Sequence, residues 1–268
     1  MKKKVKQFQF NKITDYSILN PLKEEWRKSL TAPQDDMWET FTDYSNHWEL
    51  KDDTQIIGYA CVNEDNRLLQ YFVLPNWLQE SEMVFQQFIR QQKIDNALIG
   101  TNNPIFLSTA MHFQKLVKVD TYLFSNFLNE NIIVKEGTLR LAKSKDLIRS
   151  VDYYHKSIGA PKEWLNGYVG NLIDRGEFFL FEDGEEILGS CEVRKSKSNT
   201  EVANVGMAVS PEHRKKGLGT FLLGKAKEIA IQWDKKPICS CEKDNIGSIK
   251  SIQNNGFRSL HQMLLMEF

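Results

Sequence analysis

The chain has 268 residues, of which 41% are hydrophobic, so it is long enough for two domains that each bury a core. Lysine plus arginine and aspartate plus glutamate each number 35, and the zero net charge provides no overall field to attract nucleic acid or an anionic membrane. No stretch approaches the ~20 apolar residues of a membrane-spanning helix, and no apolar run follows the basic start as in an export signal. These features predict a cytoplasmic protein that binds neither nucleic acid nor a membrane.

The four cysteines form no recognisable disulfide framework and lack the C-x-x-C spacing of redox and zinc motifs. They are Cys61, Cys191, Cys239 and Cys241. Alternate residues of a strand share one face, so Cys239 and Cys241 are expected to be packed on the same side. We therefore expect no metal site, and a reducing compartment.

Strand-like and helix-like spacings of apolar residues predict the elements of the C-terminal half. They are, in chain order, a strand at residues 138–142, helices at 145–156 and 161–174, strands at 177–182, 187–193 and 201–209, a helix ending near 233, a strand at 237–242, a short helix, and a strand at 262–268. Asp183-Gly184 is a hairpin turn between two of these strands. The middle strands therefore predict a three-stranded antiparallel meander.

The loop between the third strand of the meander and the long helix has the features of a phosphate-binding site. The first turn of a helix has backbone N–H groups without intrahelical partners and carries partial positive charge, so an anion binds there readily. Gly217 and Gly219 remove the Cβ atoms that would hold a pyrophosphate away from the backbone. Three adjacent basic residues add charge: Arg214, Lys215 and Lys216.

The spacing Arg-x-x-Gly-x-Gly, formed by Arg214, Gly217 and Gly219, resembles the acetyl-CoA signature of the GNAT superfamily of N-acyltransferases. It differs from the Rossmann and P-loop patterns. An amphipathic helix follows it, as in GNAT enzymes. The pattern by itself is compatible with a purely structural glycine turn.

The resemblance continues about 30 residues downstream, where GNAT enzymes show Asn-x-x-Ser or Asn-x-x-Ala, a helix and then Gly-Phe. Asn245, Ser248, Gly256 and Phe257 stand at that spacing. In physical terms, Asn245 caps or precedes the helix, Gly256 forms the turn after it, and Phe257 returns the chain to the core. The resemblance therefore covers nearly all of residues 136–268.

Acetyl-CoA is the co-substrate that this resemblance implies, with the pantetheine arm beside the strand that precedes the loop. The residues then expected to bind it are Met207, Ala208, Val209, Arg214, Lys215, Lys216, Gly217, Leu218, Gly219, Thr220, Asn245 and Ser248. A backbone N–H of the strand is expected to face the thioester carbonyl.

The sequence departs from the common GNAT pattern at the positions of the catalytic base and acid. Many GNAT enzymes carry a glutamate eight residues before the loop proline, where this chain has Ala203, so Glu201, one step earlier on the same face, is the candidate base. Glu192 and Glu242 are alternatives, and each of these carboxylates could simply be a solvated strand end. Ile252 stands where many members have a tyrosine acid, which leaves protonation of the leaving thiolate unassigned.

The N-terminal half repeats the order of elements seen in the C-terminal half. Residues 47–62 align with 178–193 and share four residue types, Asp52, Ile56, Gly58 and Val62 matching Asp183, Ile187, Gly189 and Val193. The fold class expected is therefore α/β (α+β): tandem GNAT-like domains, each a mixed, largely antiparallel sheet flanked by helices. The alternative is an unrelated α/β domain.

The expected domains are residues 1–128 and 136–268, with a junction at 126–137. Between Pro75 and Ser81 the first copy has no glycine or basic residue, and Glu80 and Glu82 stand where phosphates would bind, so it is expected to lack a cofactor loop. Its tryptophans could line an acceptor cleft or belong to the core. They are Trp26, Trp38, Trp48 and Trp77.

The function that these observations predict is transfer of an acetyl group from acetyl-CoA to a primary amine of a small molecule or peptide. The alternative is a non-catalytic acyl-CoA-binding or scaffold protein, since Ala203 and Ile252 replace common acid–base residues. The identity of the acceptor, the acyl-chain length and the oligomeric state are left open by the sequence.

Overall fold

The computed structural model describes residues 6–128 and 135–268, which form two compact units. The first contains the described residues up to Tyr122 together with His261–Phe268, and the second contains the described residues from Leu123 to Leu260. The apolar part of the predicted junction, residues 132–134, lies outside the described residues. Among the residues that are described, no helix is long and apolar enough to cross a membrane.

The first unit contains strands from both ends of the sequence. Its helices are α1 (Asn20–Ser29), α2 (Asp36–Asp43), α3 (Ser81–Gln92) and α4 (Pro104–Met111), and its strands are β1 (Gln9–Ile13), β2 (Asn46–Lys51), β3 (Ile56–Val62), β4 (Leu68–Val73), β5 (Asn96–Gly100) and the first part of β6 (Leu116–Asn126). The last strand, β12 (Phe257–Glu267), pairs antiparallel with β5, from Met263 opposite Gly100 to Glu267 opposite Asn96. The strand order in this unit is β1-β2-β3-β4-β5-β12-β6.

Aromatic side chains dominate the core of the first unit. Phe85 and Phe88 of α3 are fully buried, and Tyr71 of β4 packs edge-on against Phe85 with ring centroids 5.0 Å apart. Burial of such side chains stabilises the fold by about 1.5–3 kcal/mol each. Of the four tryptophans singled out in the sequence, Trp26 is buried in a second core cluster, while Trp48 and Trp77 pack against the first.

The second unit follows the predicted order closely. Its helices are α5 (Leu147–Ile158), α6 (Lys162–Asp174), α7 (Leu218–Gln232) and α8 (Ile246–Asn254), and its remaining strands are β7 (Thr138–Leu141), β8 (Phe178–Asp183), β9 (Glu186–Lys195), β10 (Val202–Val209) and β11 (Lys236–Glu242). The order beyond the end of β6 is β11-β10-β9-β8-β7, and only β10 and β11 run parallel within that series. The structure thus confirms the predicted α/β class and the three-stranded meander β8-β9-β10.

One element differs in extent from its prediction. β12 begins at Phe257, earlier than residue 262, because Gly256 adopts a φ of +81° and turns the chain directly from α8 into the strand. Phe257 is fully buried, as expected. All four cysteines are free and buried, which agrees with the packing role predicted for them.

Helix α7 packs very closely on the meander. A Cβ atom at Gly189 of β9 would lie 2.5 Å from Leu222 Cδ1 and 3.0 Å from the Ala208 carbonyl oxygen. Leu222 and Ala226 of α7 are fully buried. The absent side chain at residue 189 is therefore what lets the helix approach the strands.

Replacement of Gly189 by alanine is expected to lower the free energy of unfolding by about 1–3 kcal/mol, because Leu222 or the strand must move to accommodate the methyl group. Gly167 is the matched control: it lies in the middle of α6, and nothing lies within 4 Å of a Cβ built there. Gly167→Ala is expected to raise stability by about 0.4–1 kcal/mol. Urea unfolding of both variants checks the prediction; equal effects would contradict it.

A charged network joins β7 and β8 to the start of α5. Arg140 donates two hydrogen bonds to the Asp146 carboxylate, at 2.8 and 2.9 Å, and two to the Glu182 carboxylate, at 2.6 and 3.1 Å. The Asp146 carboxylate also accepts the Lys143 backbone N–H at 2.8 Å. Hydrogen bonding to Arg140 lowers the pKa of Asp146 to about 2.

Because the pKa of Asp146 is lower in the folded state than its ordinary 3.8, its contribution to stability is fully present above about pH 4 and is lost as the pH falls towards 2. The variant Asp146→Asn is expected to be less stable than wild type at pH 6 and to lose less stability between pH 6 and pH 3. Denaturant unfolding at the two pH values measures both quantities, and an unchanged pH dependence would contradict this account.

Candidate functional site

Strands β10 and β11 pair over only part of their length. Their parallel ladder joins Val202, Ala203 and Asn204 to residues 236–238. β10 continues to Val209 and stays paired with β9 on its other side, up to Val209 opposite Gly189. Within the described chain, the β11 side of β10 is therefore open beyond Asn204.

The register shows which backbone groups face this opening. The Ser210 N–H donates to the Leu188 carbonyl at 3.1 Å, so residues at even positions of β10 direct their polar groups towards β9. Odd positions direct theirs the other way. The Val205 C=O group and both the N–H and C=O groups of Met207 thus face the open side, where an extended molecule could pair with them as a strand does.

The loop after β10 ends at an uncapped helix start. Gly217 is the N-cap of α7 with a φ of +79°, in the left-handed region that glycine adopts without strain, and it provides no capping side chain. Gly219 lies in the first turn, where a Cβ atom would be 3.2 Å from Ser251 Oγ and 3.4 Å from Met207 Sδ. The backbone N–H groups of this turn are therefore accessible to an anion.

Two basic residues have distinct positions at the loop. Arg214 holds the loop in place, since its guanidinium donates to the Ser157 carbonyl at the end of α5 and to the Val209 carbonyl at 3.3 Å. Lys135 donates to the Lys216 carbonyl at 3.0 Å, and its Nζ lies 3.6 Å from a Cβ built at Gly217. Lys135 was missed by sequence reasoning because it precedes the loop by about 80 residues and belongs to no motif.

Two protein-family models match the chain. The first, described as acetyltransferase (GNAT) domain, matches residues 16–127, and the second, described as acetyltransferase (GNAT) family, matches residues 141–257. The chain belongs to the GNAT acetyltransferase superfamily. The two matched segments confirm the tandem arrangement predicted from the internal repeat.

Solved structures support the same assignment. A GNAT-family acetyltransferase from Colwellia psychrerythraea is 27% identical, with a TM-score of 0.92 over 97% of this chain and 99% of that one. A GCN5-related N-acetyltransferase from Sphaerobacter thermophilus shares the fold at 12% identity, with a TM-score of 0.65 over 97% and 95% of the two chains. A tandem GNAT protein from the clavulanic acid biosynthesis pathway does so at 14% identity, with a TM-score of 0.63 over 97% and 98%. No curated protein matches the chain.

The structure of this GNAT protein brings most of the predicted cofactor-binding residues together. Met207, Ala208 and Val209 end β10, residues 214–217 form the loop, and Leu218, Gly219 and Thr220 begin α7. Asn245 is the N-cap of α8, where its side chain accepts the Ser248 N–H at 3.1 Å, which confirms its predicted capping role. Ser251 of α8 lies beside Gly219, so α8 also borders the loop.

The corresponding segment of the first unit has a different character. β4 and β5 are parallel and pair only at Leu68 opposite Ala97, so the strands separate there as well. A short 3-10 turn (Pro75–Glu80) then precedes α3, with Glu80 at the N-cap and Glu82 in the first turn. Carboxylates near the N-terminus of a helix interact favourably with the positive end of the helix dipole, and they repel a phosphate.

The three candidate carboxylates occupy different environments. Glu201 precedes β10 and is exposed; its pKa is lowered by a hydrogen bond from Lys236, whose Nζ lies 2.9 Å away. It stands four residues, roughly 13 Å of strand, before Val205. Glu242 is exposed at the end of β11, whereas Glu192 is buried on β9 directly opposite Gly206.

Proposed function

We propose that this GNAT protein transfers the acetyl group of acetyl-CoA to a primary amine of a small molecule or peptide. The observation that supports this most strongly is the open edge of β10 beside the uncapped start of α7. The edge of β10 offers unpaired backbone groups along an extended path. The start of α7 offers N–H groups and positive charge at the end of that path. An amide-containing arm with a terminal pyrophosphate fits this combination.

The proposed contacts follow from that geometry. The backbone groups of Val205 and Met207 bind the amides of the pantetheine arm, and an N–H of this strand polarises the thioester carbonyl. The first-turn N–H groups of α7 bind the pyrophosphate, with Lys135, Lys215 and Lys216 adding charge. Acetyl-CoA supplies the activated acyl group, which the open strand holds beside the acceptor.

The first unit is proposed to bind no acetyl-CoA, because Glu80 and Glu82 lie where a pyrophosphate would need positive charge. The division of labour between a non-binding domain at residues 1–128 and a transferase domain at 136–268 is part of the same proposal. Four free, buried cysteines support the proposed cytoplasmic location. Glu201 stays a prediction as the base, and its position four residues before Val205 places it away from the open part of the strand.

Calorimetric titration tests the cofactor site directly. Wild type is expected to bind acetyl-CoA with micromolar affinity, and the double variant Gly217→Glu, Gly219→Glu is expected to lose that binding because two carboxylates would face the pyrophosphate. The charge-reversal pair Lys135→Glu, Lys216→Glu retains both glycines and is expected to weaken binding about tenfold or more. Lys145→Glu, an exposed site elsewhere in the unit, is the matched control for added charge.

No acetyl-CoA binding by wild type would contradict the proposal. Binding without transfer to any amine in a broad panel would instead indicate a non-catalytic acyl-CoA-binding protein. Circular dichroism of each variant separates loss of the site from loss of the fold.

A further inference from the structure

A buried carboxylate faces the open strand from the side opposite α7. The Glu192 side chain accepts a hydrogen bond from the Tyr168 hydroxyl, which lies 2.8 and 2.9 Å from its two oxygens, and another from Tyr154 at 3.3 Å. Arg194 Nε lies 3.5 Å from Oε1. The residue is only 7% exposed. Burial and the neighbouring Glu192 charge raise the pKa of Tyr154, so this tyrosine remains a hydrogen-bond donor at neutral pH.

Glu192 lies next to the part of β10 that would hold the thioester. It is directly opposite Gly206, and a Cβ atom at Gly206 would lie 2.8 Å from Glu192 Oε1. Gly206 stands between Val205 and Met207, whose backbone groups face the open edge. The glycine therefore leaves the carboxylate in contact with the strand at the point where the acyl group is expected.

Two stacked aromatic rings connect Glu192 with the protein surface. Trp164 and Tyr168 are one turn apart on α6, with ring centroids 4.7 Å apart and planes inclined by 13°. Trp164 is 48% exposed, Tyr168 is half-buried and Glu192 is buried. These three side chains form a series that leads inward from solvent to the carboxylate.

The chemistry of this series fits an amine. A carboxylate has about four acceptor positions, and the two tyrosine hydroxyls and the Arg194 guanidinium leave room for one N–H donor. Aromatic faces attract flat apolar groups and ammonium groups alike. Because Trp164 is the ring furthest from the carboxylate, it is placed to contact the body of an acceptor whose nitrogen lies at Glu192.

We infer that Trp164, Tyr168 and Glu192 form the acceptor site and select a primary amine attached to a flat, apolar body. This inference rests on the proposed acetyl transfer and names its substrate class. As the nitrogen forms its bond to the acetyl carbon and the carbon–sulfur bond breaks, Glu192 accepts one proton from the nitrogen. The thiolate leaves with the bonding electron pair and takes up a proton from solvent. Glu192 then releases to solvent the proton that it accepted from the nitrogen.

The test measures amine binding and acetyl transfer separately. Phenethylamine, tryptamine and spermidine are titrated calorimetrically into CoA-saturated protein. The control ligand is 2-phenylethanol, which has a hydroxyl group in place of the amine of phenethylamine. The aromatic amines are expected to bind most tightly, and Trp164→Ala and Glu192→Gln to weaken their binding about tenfold or more. Glu192→Gln should leave the Kd for acetyl-CoA within about twofold. Glu185→Gln, an exposed carboxylate in the same hairpin, is the matched control.

Acetylation of the same amines separates this inference from the proposed function. If wild type acetylates an amine and both variants bind and acetylate it as wild type does, the acceptor site is wrong and the proposed function stands. If the amines bind through Trp164 and Glu192 without acetyl transfer, the proposed function is wrong and the site stands. Preference for spermidine, or binding and transfer of none of the amines, overturns the inference. Trp164 lies at the surface, so its variant remains informative if Glu192→Gln fails to fold.

Discussion

The separation of β10 from β11 after Asn204 is the constraint on which the site depends. Backbone polar groups that lack partners are costly when they are removed from water, so an open strand edge inside a sheet needs either solvent or a ligand to satisfy it. Val205 and Met207 direct such groups into the opening. The strand can therefore bind a molecule that has amides along an extended chain, and acetyl-CoA is the molecule that we propose for it.

The rest of the second unit fixes the two ends of this edge. Gly189 lets α7 pack against the meander, so that the N-terminus of the helix lies just beyond Val209, while Arg214 links the loop to both β10 and α5. On the other face of the strand, Gly206 leaves room for the Glu192 carboxylate. Glycines thus allow close approach on both faces of the β9–β10 pair.

Much of this could be predicted from the sequence, and the exceptions have physical reasons. The loop, α7 and the α8 cap follow from local patterns of glycine, charge and apolar spacing, which determine local structure directly. The contribution of Lys135 depends on a contact between distant segments, and no local pattern records it. Alternation along β9 could place Glu192 on a face, but only the pairing with Gly206 and the contacts with Tyr154 and Tyr168 distinguish it from Glu201 and Glu242. The pairing of β12 with β5 in the first unit likewise joins residues 263–267 to residues 96–100, which no local pattern records.

Hydrogen exchange of the backbone amides, with and without acetyl-CoA, tests the central claim most directly. The account predicts that acetyl-CoA slows exchange at Met207 and the first turn of α7, because these N–H groups gain partners, and leaves residues 70–82 of the first unit unchanged. Protection confined to residues 70–82, or no protection at Met207 and Gly219, would contradict the assignment of the open edge of β10 as the cofactor site.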